Sequence, residues 1–394
     1  MKKISKIINK SLIMIKPYIT MKKDKKIKEI LEKINVHKYE TIVIFENNFG
    51  WNGIMKQRPQ QIASNFDDNI LFIYHSNRDK YDNKYQYKEI KDNLILINMD
   101  IYRNKILKYL RKFSDKFLMI YSTNYISEKT INIYKNHKFK LIYEYVDDID
   151  EKLCGKKTTQ KLFENFNNIV MNNRNYIICT ANKLYNNVLN SNKNARVKLI
   201  TNGCDYEHFK KKEYKIPNEI AKIKNSNKPI IGYYGALASW FDYDLIKKMS
   251  DTNKYEIVLI GLKYDDSLEE SDILNLENVY YLGKKDYDEL PIYSSYFDVC
   301  IIPFIINEIT LSTSPVKLFE YMASEKPIVT TNLPECHKYK SILISKDHQE
   351  FIENLDKAIG LAKDKNYIEL LRKDALNNTW SSKCNEIINF ISEV

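Results

Sequence analysis

Short apolar segments alternate with amphipathic stretches along the chain from about residue 40. In the first half the apolar segments are rich in Ile, Val and Tyr, which is typical of β-strands, and helix-like stretches lie between most of them. The strands are predicted at residues 41–45, 70–74, 94–98, 117–121, 140–145, 176–180 and 198–201, with helices that include 57–65, 157–172 and 182–189. Such alternation predicts a parallel sheet covered on both faces.

A second run of the same kind occupies the other half of the chain. Its strands are predicted at residues 229–234, 255–260, 279–282, 299–303, 327–330 and 342–345, with helices that include 242–250, 315–324 and 349–361. Between the two runs, residues 210–228 are rich in Lys and Asn and contain Pro217, which is typical of a linker.

We therefore predict an α/β protein with two doubly wound domains that face each other across a cleft. The boundaries are an N-terminal domain at 35–209, the linker at 210–228 and a ligand-binding domain at 229–375. A C-terminal helix within 376–394 is expected to pack back on the first domain. Ligands of such sheets bind outside the carboxyl ends of the strands.

The charge of +11 is concentrated at the N-terminus. Residues 1–34 hold eleven Lys and three acidic residues, a net +8 that leaves +3 for the rest of the chain. A near-neutral body argues against nucleic-acid binding. The leader at 1–34 has Ile and Leu at helical spacing among its lysines, which fits either a basic amphipathic helix on an anionic membrane or a solvated tail. It lacks the apolar region and the cleavage site of a signal peptide.

The six cysteines include no C-x-x-C pair, and the histidines show no metal-ligand spacing. Free thiols in a reducing cytoplasm are the plain interpretation. D-x-D patterns occur three times, at 148–150, 242–244 and 286–288, which shows how easily that pattern arises. We predict no metal and no cofactor.

The segment from Ser314 to Glu335 contains the most specific pattern in the chain. Ser314 is predicted to cap a helix whose first turn holds Pro315, directly after a buried strand and a loop. A helix start in this position presents free N–H groups and a positive dipole to a phosphate. Lys317 and Glu320 share one face of that helix and can contact a pyrophosphate and two ribose hydroxyls, whereas Leu318 points to the core. The plain alternative is an exposed Lys–Glu pair on an amphipathic helix.

The motif P-V-K-L-F-E-Y-M-A, followed by K-P-I-V-T-T-N-L-P-E, resembles the nucleotide-binding segment of glycosyltransferase family 4 and related GT-B enzymes. I-I-G-Y-Y-G-A-L at 230–237, T-N-G-C-D-Y-E-H-F at 201–209 and L-G-K-K-D-Y-D-E-L-P-I-Y at 282–293 resemble other motifs of that family in the same order. The resemblance implies a GT-B fold and a nucleotide-sugar donor. It also implies donor contacts at Gly235, Ser314, Pro315, Lys317, Leu318 and Glu320.

Two departures from the family pattern concern the sugar and the pyrophosphate. The family often carries two Glu eight positions apart, and the first falls on Ser312. Where many members have an Arg and a Lys after the glycine turn, this chain has A-S-W-F-D at 238–242. With these departures, the motifs of this chain resemble those of the subgroup that acts in teichuronic-acid and capsular polysaccharide synthesis.

The acceptor side is assigned to the first domain. Gly53 and Trp51 lie in a pliable loop after the first strand, and the following Q-R-P-Q-Q-I-A resembles the subgroup's signature. Arg58 at that helix start can face a phosphate of either substrate, or it is an ordinary surface residue. Asp147 and Asp148 follow the fifth strand, and one of them is a candidate general base; the alternative is a helix start that carries acidic residues.

The sequence thus predicts a glycosyltransferase of the hexosyltransferase type. The resemblance implies retention of anomeric configuration, and the expected acceptor is a saccharide, with a lipid link that would suit a basic leader. The expected location is the cytoplasm, on the inner face of the membrane if the leader binds it. A nucleotide-sugar epimerase on the same fold and a non-catalytic nucleotide-sugar-binding protein remain alternatives.

Overall fold

The computed structural model describes residues 28–30, 32, 34–53, 56–76, 82, 87–151 and 156–393, without the side chains of residues 156 and 157. The predicted leader lies almost entirely outside these ranges, as does Cys154. None of the helices in the described ranges is both long and apolar enough to cross a membrane. The five cysteines at positions 179, 204, 300, 336 and 384 are buried and form no disulfide, as expected.

The first sheet has eight strands in the order β3-β4-β2-β1-β5-β6-β7-β8. The strands are β1 (Thr41–Glu46), β2 (Ile70–His75), β3 (Tyr87–Lys91), β4 (Leu94–Ile97), β5 (Lys116–Tyr121), β6 (Lys140–Tyr145), β7 (Tyr176–Cys179) and β8 (Val197–Leu199). The accompanying helices are α1 (Arg58–Asn65), α2 (Met99–Tyr109), α3 (Glu128–Asn136), α4 (Lys156–Val170) and α5 (Asn182–Ser191).

The second sheet has six strands, all parallel, in the order β11-β10-β9-β12-β13-β14. They are β9 (Ile230–Tyr234), β10 (Glu256–Ile260), β11 (Val279–Tyr281), β12 (Val299–Ile302), β13 (Ile328–Thr331) and β14 (Ile342–Ser345). The helices are α6 (Tyr206–Phe209), α7 (Asn218–Lys224), α8 (Tyr243–Asp251), α9 (Ser267–Glu270), α10 (Leu290–Ser294), α11 (Val316–Ala323), α12 (His348–Leu361), α13 (Lys365–Asn377) and α14 (Trp380–Ser392).

Short 3-10 turns lie between these elements in both halves of the chain. They are Val36–Lys38, Leu110–Lys112, Ile273–Asn275, Tyr287–Glu289, Thr310–Ser312 and Pro334–Lys338. The strands predicted from the apolar runs all occur within one or two residues of their predicted bounds. The sequence reading did not identify β3, an antiparallel edge strand on β4 whose residues are half-exposed or exposed and alternate poorly.

Contacts divide the chain into two compact units. The first comprises Met1–Gly53, Phe66–Ile120 and Ile126–Ile142, and the second comprises Ile54–Asn65, Tyr121–Tyr125 and Tyr143–Val394. The second unit therefore contains α1 together with the whole six-stranded sheet. The C-terminal helix α14 packs on α1, where the Cys384 thiol lies 3.4 Å from the Ile62 carbonyl oxygen. The domain boundaries that we assigned from the sequence remain predictions.

The elements of the second unit begin at recognisable caps. Asp242, Asp347, Asp364 and Thr379 accept a backbone N–H at the starts of α8, α12, α13 and α14. These side chains satisfy donors that helix starts leave free. The segment predicted as a linker contains α7, whose Ile220 and Ile223 are buried in the core of this unit.

Candidate functional site

Glycines end three adjacent strands at the carboxyl edge of the six-stranded sheet. Gly235 follows β9, Gly261 follows β10 and Gly283 follows β11, and all three have positive φ angles. A Cβ at Gly261 would lie 1.7 Å from the Gly235 carbonyl oxygen, so the two turns approach closer than any side chain allows. The sequence singled out Gly235, whereas the need for Gly261 depends on the neighbouring strand.

Lys317 lies one residue inside α11 and reaches back over the Gly235 turn. Its ammonium is 4.8 Å from the ring centroid of Phe304 and 5.3 Å from that of Tyr233. A Cβ at Gly235 would lie 2.7 Å from the Lys317 side chain. Burial lowers the pKa of Lys317 to about 8, although the charge of Glu320 opposes that shift. The lysine is held by aromatic faces and forms no ion pair in the described part of the chain.

Glu320 lies one turn further along the same helix, and only 5% of it is exposed. Burial raises the pKa of its carboxyl group to about 7, and Lys317 only partly offsets that shift. The buried Tyr234 hydroxyl lies next to this carboxyl group but makes no hydrogen bond of ordinary geometry. A buried carboxyl group and an unpaired hydroxyl, side by side, are suited to a ligand that donates and accepts hydrogen bonds.

An aromatic stack lies near this helix face and was not predicted at the residue level. The rings of His208 and Tyr287 are parallel with centroids 4.6 Å apart, and Phe209 packs edge-on against both. The Tyr287 hydroxyl accepts a hydrogen bond from Gln61 at 2.9 Å. Burial, followed by the charge of Glu320, raises the pKa of Tyr287. The two motifs at 201–209 and 282–293 are therefore neighbours in space.

The start of α11 differs from the predicted start by one residue. The helix begins at Val316, and Pro315 with extended ψ is the capping residue without a side-chain cap. Ser314 was wrongly predicted as the cap, because its hydroxyl instead accepts the Asn202 N–H at 3.3 Å. The Asn202 side-chain amide also donates to the Ser314 carbonyl at 2.6 Å. Ser314 thus fixes this helix start against the chain that leads into α6.

Leu318 is buried in the hydrophobic core of the six-stranded sheet, as its position on the helix predicted. Its side chain points away from Lys317 and Glu320 because successive helical residues turn by about 100°. Any contact of Leu318 with a donor would therefore involve its backbone.

Asp147 and Asp148 follow β6 but differ in their surroundings. Asp148 accepts hydrogen bonds from the Tyr145 hydroxyl at 3.2 Å and the Ile149 N–H at 3.0 Å through one oxygen. The Asp147 carboxyl group forms no hydrogen bond in the described part of the chain. Burial, and then the charge of Asp148, raise the pKa of Asp147 to about 6. The raised pKa brings the proton exchange of Asp147 close to neutral pH.

The second oxygen of Asp148 contacts residues from two other elements. The Ser312 hydroxyl donates to it at 3.2 Å, and the Lys183 ammonium lies 3.5 Å away. Lys183 at the start of α5 also pairs with the Glu308 carboxylate and donates to the Glu308 carbonyl at 3.0 Å. A carboxylate therefore lies against Ser312, where the family pattern often has its first Glu, but it comes from the end of β6.

Arg58 is buried and paired with Glu144, which contradicts the alternative of an ordinary surface residue and leaves its predicted phosphate contact a prediction. Its Nε lies 2.5 Å from Glu144, and one terminal nitrogen donates to the Thr201 carbonyl at 3.0 Å and to the Asn202 side chain at 3.2 Å. Only 3% of Arg58 is exposed. Burial alone would lower its pKa, but the adjacent Glu144 carboxylate outweighs that and raises it. The sequence could not show this, because the partner is 86 positions away.

Trp51 and Gly53 lie in a turn after β1, in the other compact unit. The Gly53 N–H donates to the Gly50 carbonyl at 3.2 Å, and the Trp51 N–H donates to the Asp82 carboxylate. The Trp51 ring packs edge-on against Tyr74 at 5.2 Å. Both residues belong to an ordered turn, and their assignment to the acceptor remains a prediction.

Within the described ranges, no group of three or more His, Cys, Asp or Glu is placed to hold a metal ion. The expectation that the reaction needs no metal remains untested.

The family comparison matches the part of the chain that forms this site. Residues 228–360 match the family model described as Glycosyl transferases group 1, and this range includes Gly235, Lys317 and Glu320. Residues 228–360 are therefore similar to a group 1 glycosyl transferase domain. The matched range covers β9 to β14, α8 to α11 and all of α12 except its last residue, so it includes every strand of the six-stranded sheet.

A curated relative supports the resemblance to surface-polysaccharide enzymes. The "Putative teichuronic acid biosynthesis glycosyltransferase TuaH" of Bacillus subtilis is 28% identical over 225 residues, which cover 54% of this chain and 56% of TuaH. The matched part of the chain thus spans little more than half of that relative's length.

Solved structures share the fold over nearly the whole chain. Sucrose-phosphate synthase of Thermosynechococcus elongatus has a TM-score of 0.65 at 12% identity, and covers 89% of this chain and 98% of its own. Anabaena HepE, solved in complex with UDP-glucose, has a TM-score of 0.59 at 13% identity, and covers 90% and 100% respectively. The glycosyltransferase WaaG has a TM-score of 0.58 at 12% identity. The predicted GT-B fold and the predicted kinship with group 1 glycosyltransferases are confirmed.

Proposed function

We propose that the protein transfers a sugar from a nucleotide-sugar donor to a saccharide acceptor in the synthesis of a cell-surface polysaccharide. The single observation that carries this proposal is the arrangement of Lys317, Glu320 and the Gly235 turn at the start of α11, inside the group 1 domain. The relation to TuaH favours a polysaccharide product, because that relative is described as a teichuronic acid biosynthesis glycosyltransferase.

The diphosphate of the donor is assigned to Lys317 and to the N–H groups of the first turn of α11. Lys317 has a lowered pKa because it is desolvated without a carboxylate partner. A bound diphosphate would supply the missing negative charge and would stabilise the protonated lysine. As the glycosidic bond breaks, charge grows on the leaving diphosphate, and fixed positive groups stabilise that charge without reorganisation.

The ribose is assigned to Glu320. Its carboxyl group is buried beside the unpaired Tyr234 hydroxyl, so ribose hydroxyls would complete two sets of unused hydrogen bonds at once. HepE was solved with UDP-glucose, and WaaG is described as acting in lipopolysaccharide biosynthesis, which supports a nucleotide-sugar donor here.

The acceptor hydroxyl is assigned to Asp147. Its carboxyl group has no hydrogen-bond or ion-pair partner among the residues that the structure describes. Its pKa of about 6 means that it is ionised at neutral pH and remains basic enough to accept a proton. Asp148 is a positioning residue in this proposal. The hydrogen bond that it accepts from Ser312 and its ion pair with Lys183 hold the segment after β6 beside the loop that precedes α11.

Three finer parts of the proposal rest on resemblance or composition alone. These are retention of anomeric configuration, a lipid-linked acceptor and attachment of the basic leader to the inner face of the membrane. The configuration is testable by NMR of the product's anomeric proton, and the leader by sedimentation of the full chain with anionic vesicles.

The decisive experiment incubates the purified chain with UDP-, GDP- and dTDP-sugars, with and without lipid-linked saccharides extracted from envelope membranes. We expect one nucleotide to bind, and the matching nucleoside diphosphate to be released with formation of a glycosylated product. Glu320→Ala is expected to weaken donor binding, and Glu277→Ala, at an exposed glutamate outside this site, is the matched surface control.

Each outcome separates the alternatives. Donor binding without turnover across the acceptors would overturn the enzyme assignment in favour of a non-catalytic binding protein. Conversion of the donor sugar to an isomer without transfer would indicate an epimerase. Unchanged donor affinity in Glu320→Ala would refute the ribose assignment.

A further inference from the structure

A cavity of about 530 Å³ adjoins the candidate donor site and takes no part in the proposed chemistry. It opens at the carboxyl edge of the six-stranded sheet, where residues after β12, β13 and β14 line it. Phe304 forms one wall, and the same ring lies 4.8 Å from the Lys317 ammonium. A ligand in this cavity would therefore lie beside the donor diphosphate, on the β14 side of the sheet.

Exposed apolar side chains lie in the cavity lining and next to it. Ile305 and Ile306, which line the cavity, are 42% and 43% exposed. Trp240 and Tyr264 lie outside the lining but are connected to it, because the Trp240 carbonyl accepts the Ile305 N–H at 2.9 Å and the Tyr264 ring, 52% exposed, lies 5.2 Å from the Trp240 ring. Aromatic and branched side chains left in water beside a cavity are typical of a ligand platform.

The other side of the cavity is polar and its acids are already engaged. Asp242 accepts the Leu245 N–H at 2.9 Å and contacts His348 Nε2 at 2.8 Å, while Asp347 accepts the Glu350 N–H at 2.9 Å. Asp242 and Asp347 cap α8 and α12, so the positive ends of two helix dipoles border the cavity.

Two lysines in the lining have no such partner. The ammonium groups of Lys248 and Lys346 form no ion pair within the described ranges, although both residues line the cavity. The Gln349 side chain at the rim donates to Glu353 at 3.0 Å, and its amide oxygen remains an acceptor. The cavity and its surroundings thus combine aromatic rings, carboxylate and amide groups held by hydrogen bonds, and two lysine ammonium groups.

From this combination we infer that the cavity binds a saccharide segment that bears a carboxylate or a phosphate. The apolar faces of sugar rings would pack on Trp240 and Tyr264, the hydroxyls would bond to the polar side, and the acid would pair with Lys248 and Lys346. The inference rests on the proposed function: the segment is the part of the acceptor chain that is not being glycosylated, held beside the donor.

The test measures binding of two tetrasaccharides of known charge by calorimetry at low salt. Hyaluronan tetrasaccharide carries carboxylates, and chitotetraose is its neutral counterpart. We expect the wild-type chain to bind the hyaluronan fragment about tenfold more tightly than chitotetraose, with the difference lost at high salt.

Substitutions at the cavity test the same inference. We expect weaker binding of the hyaluronan fragment in Trp240→Ala, in Tyr264→Ala and in the double variant Lys248→Gln/Lys346→Gln. The controls are Phe163→Ala and Lys365→Gln, which change residues exposed elsewhere and should leave this binding unchanged.

Binding of the free nucleoside diphosphate serves as the independent readout in every variant. If nucleotide binds normally but neither tetrasaccharide binds, or chitotetraose binds equally well, the inference is overturned while the donor assignment stands. If Trp240→Ala and Tyr264→Ala both abolish nucleotide binding, the cavity belongs to the donor site and the inference is again overturned. If the wild-type chain binds no nucleotide or nucleotide-sugar, the proposed function itself fails.

Discussion

Two cation–carboxylate sets in the same compact unit illustrate the difference between a structural pair and a ligand site. Arg58 and Glu144 contact each other directly, and the remaining guanidinium donors reach a carbonyl and a side-chain amide oxygen. Lys317 and Glu320 lie on one helix face, form no ion pair with each other, and have pKa values moved toward their neutral forms. The charges of Arg58 and Glu144 are compensated by each other and by hydrogen bonds within the fold. The charges of Lys317 and Glu320 are not compensated in this way.

The difference follows from where each set lies. Arg58 and Glu144 come from elements that pack together in the core, so the desolvation cost of both charges is offset by hydrogen bonds. Lys317 lies against the Gly235 turn at the carboxyl edge of the six-stranded sheet, the edge at which such sheets bind ligands, and Glu320 lies one turn further along the same helix. We infer that unsatisfied charge marks the donor site, and four predictions test this comparison in order of expected effect.

The largest effect is expected from breaking the structural pair. Arg58→Met should lower the free energy of unfolding by about 3–5 kcal/mol, because it leaves the Glu144 charge buried and unpaired. Chemical denaturation measures this change. The double variant Arg58→Met/Glu144→Leu should recover most of the loss, and a single-variant effect below about 1 kcal/mol would contradict the assignment.

Removing the cation from the ligand site should change function rather than stability. Lys317→Met should reduce kcat/KM for the donor by about 10²–10³, because the leaving diphosphate loses its positive partner. Thermal unfolding should be unchanged or raised, since a desolvated charge disappears. A drop in stability like that of Arg58→Met would show that the two sets are alike after all.

Ionisation of the Glu320 carboxyl group should lower the free energy of unfolding. The pKa of Glu320 is about 7 in the fold, above the ordinary value of 4.5, so the folded protein retains this proton up to a higher pH than the unfolded chain does. The cost is absent below pH 4.5 and complete above pH 7. Glu320→Gln should therefore raise the free energy of unfolding by about 1–3 kcal/mol at pH 8.

Measuring the stability of Glu320→Gln at a lower pH provides the control for this prediction. At pH 5 the gain from Glu320→Gln should largely vanish, while donor affinity at pH 8 should fall. An equal stability change at both pH values would show that the carboxyl group is not desolvated as the fold indicates.

The smallest effect expected is in the pH profile of kcat/KM. Activity should rise with pH between about 6 and 7, as Asp147 and then Glu320 ionise, and fall through about 8, as free Lys317 loses its proton. Asp147→Asn should remove the part of the rise near pH 6 and leave the part near pH 7, whereas Asp150→Asn should retain the wild-type profile. A profile that is flat from pH 5 to 9 would exclude all three titrations.

Much of this picture could be predicted from the sequence. Strand and helix periodicity gave both sheets, because buried parallel strands are apolar runs bounded by turns. The P-V-K-L-F-E segment identified Lys317 and Glu320, since a helix start, its charge spacing and its motif are all local. The start of α11 was predicted one residue too early, with Ser314 as its cap. The Ser314 hydroxyl instead accepts a hydrogen bond from Asn202, a residue 112 positions away, which the local sequence does not indicate.

What the sequence determined by itself is therefore local: the element types, the helix that begins at the end of β12, and the group 1 motif it carries. Only the tertiary structure decided which charges are paired. It placed Arg58 against Glu144 and brought Asp148 to Ser312 and Lys183. Among the residues that the structure describes, it left Lys317, Glu320 and Asp147 without an ion pair. The physical reason is that desolvation and ion pairing depend on neighbours far away in the chain, which periodicity and spacing do not encode.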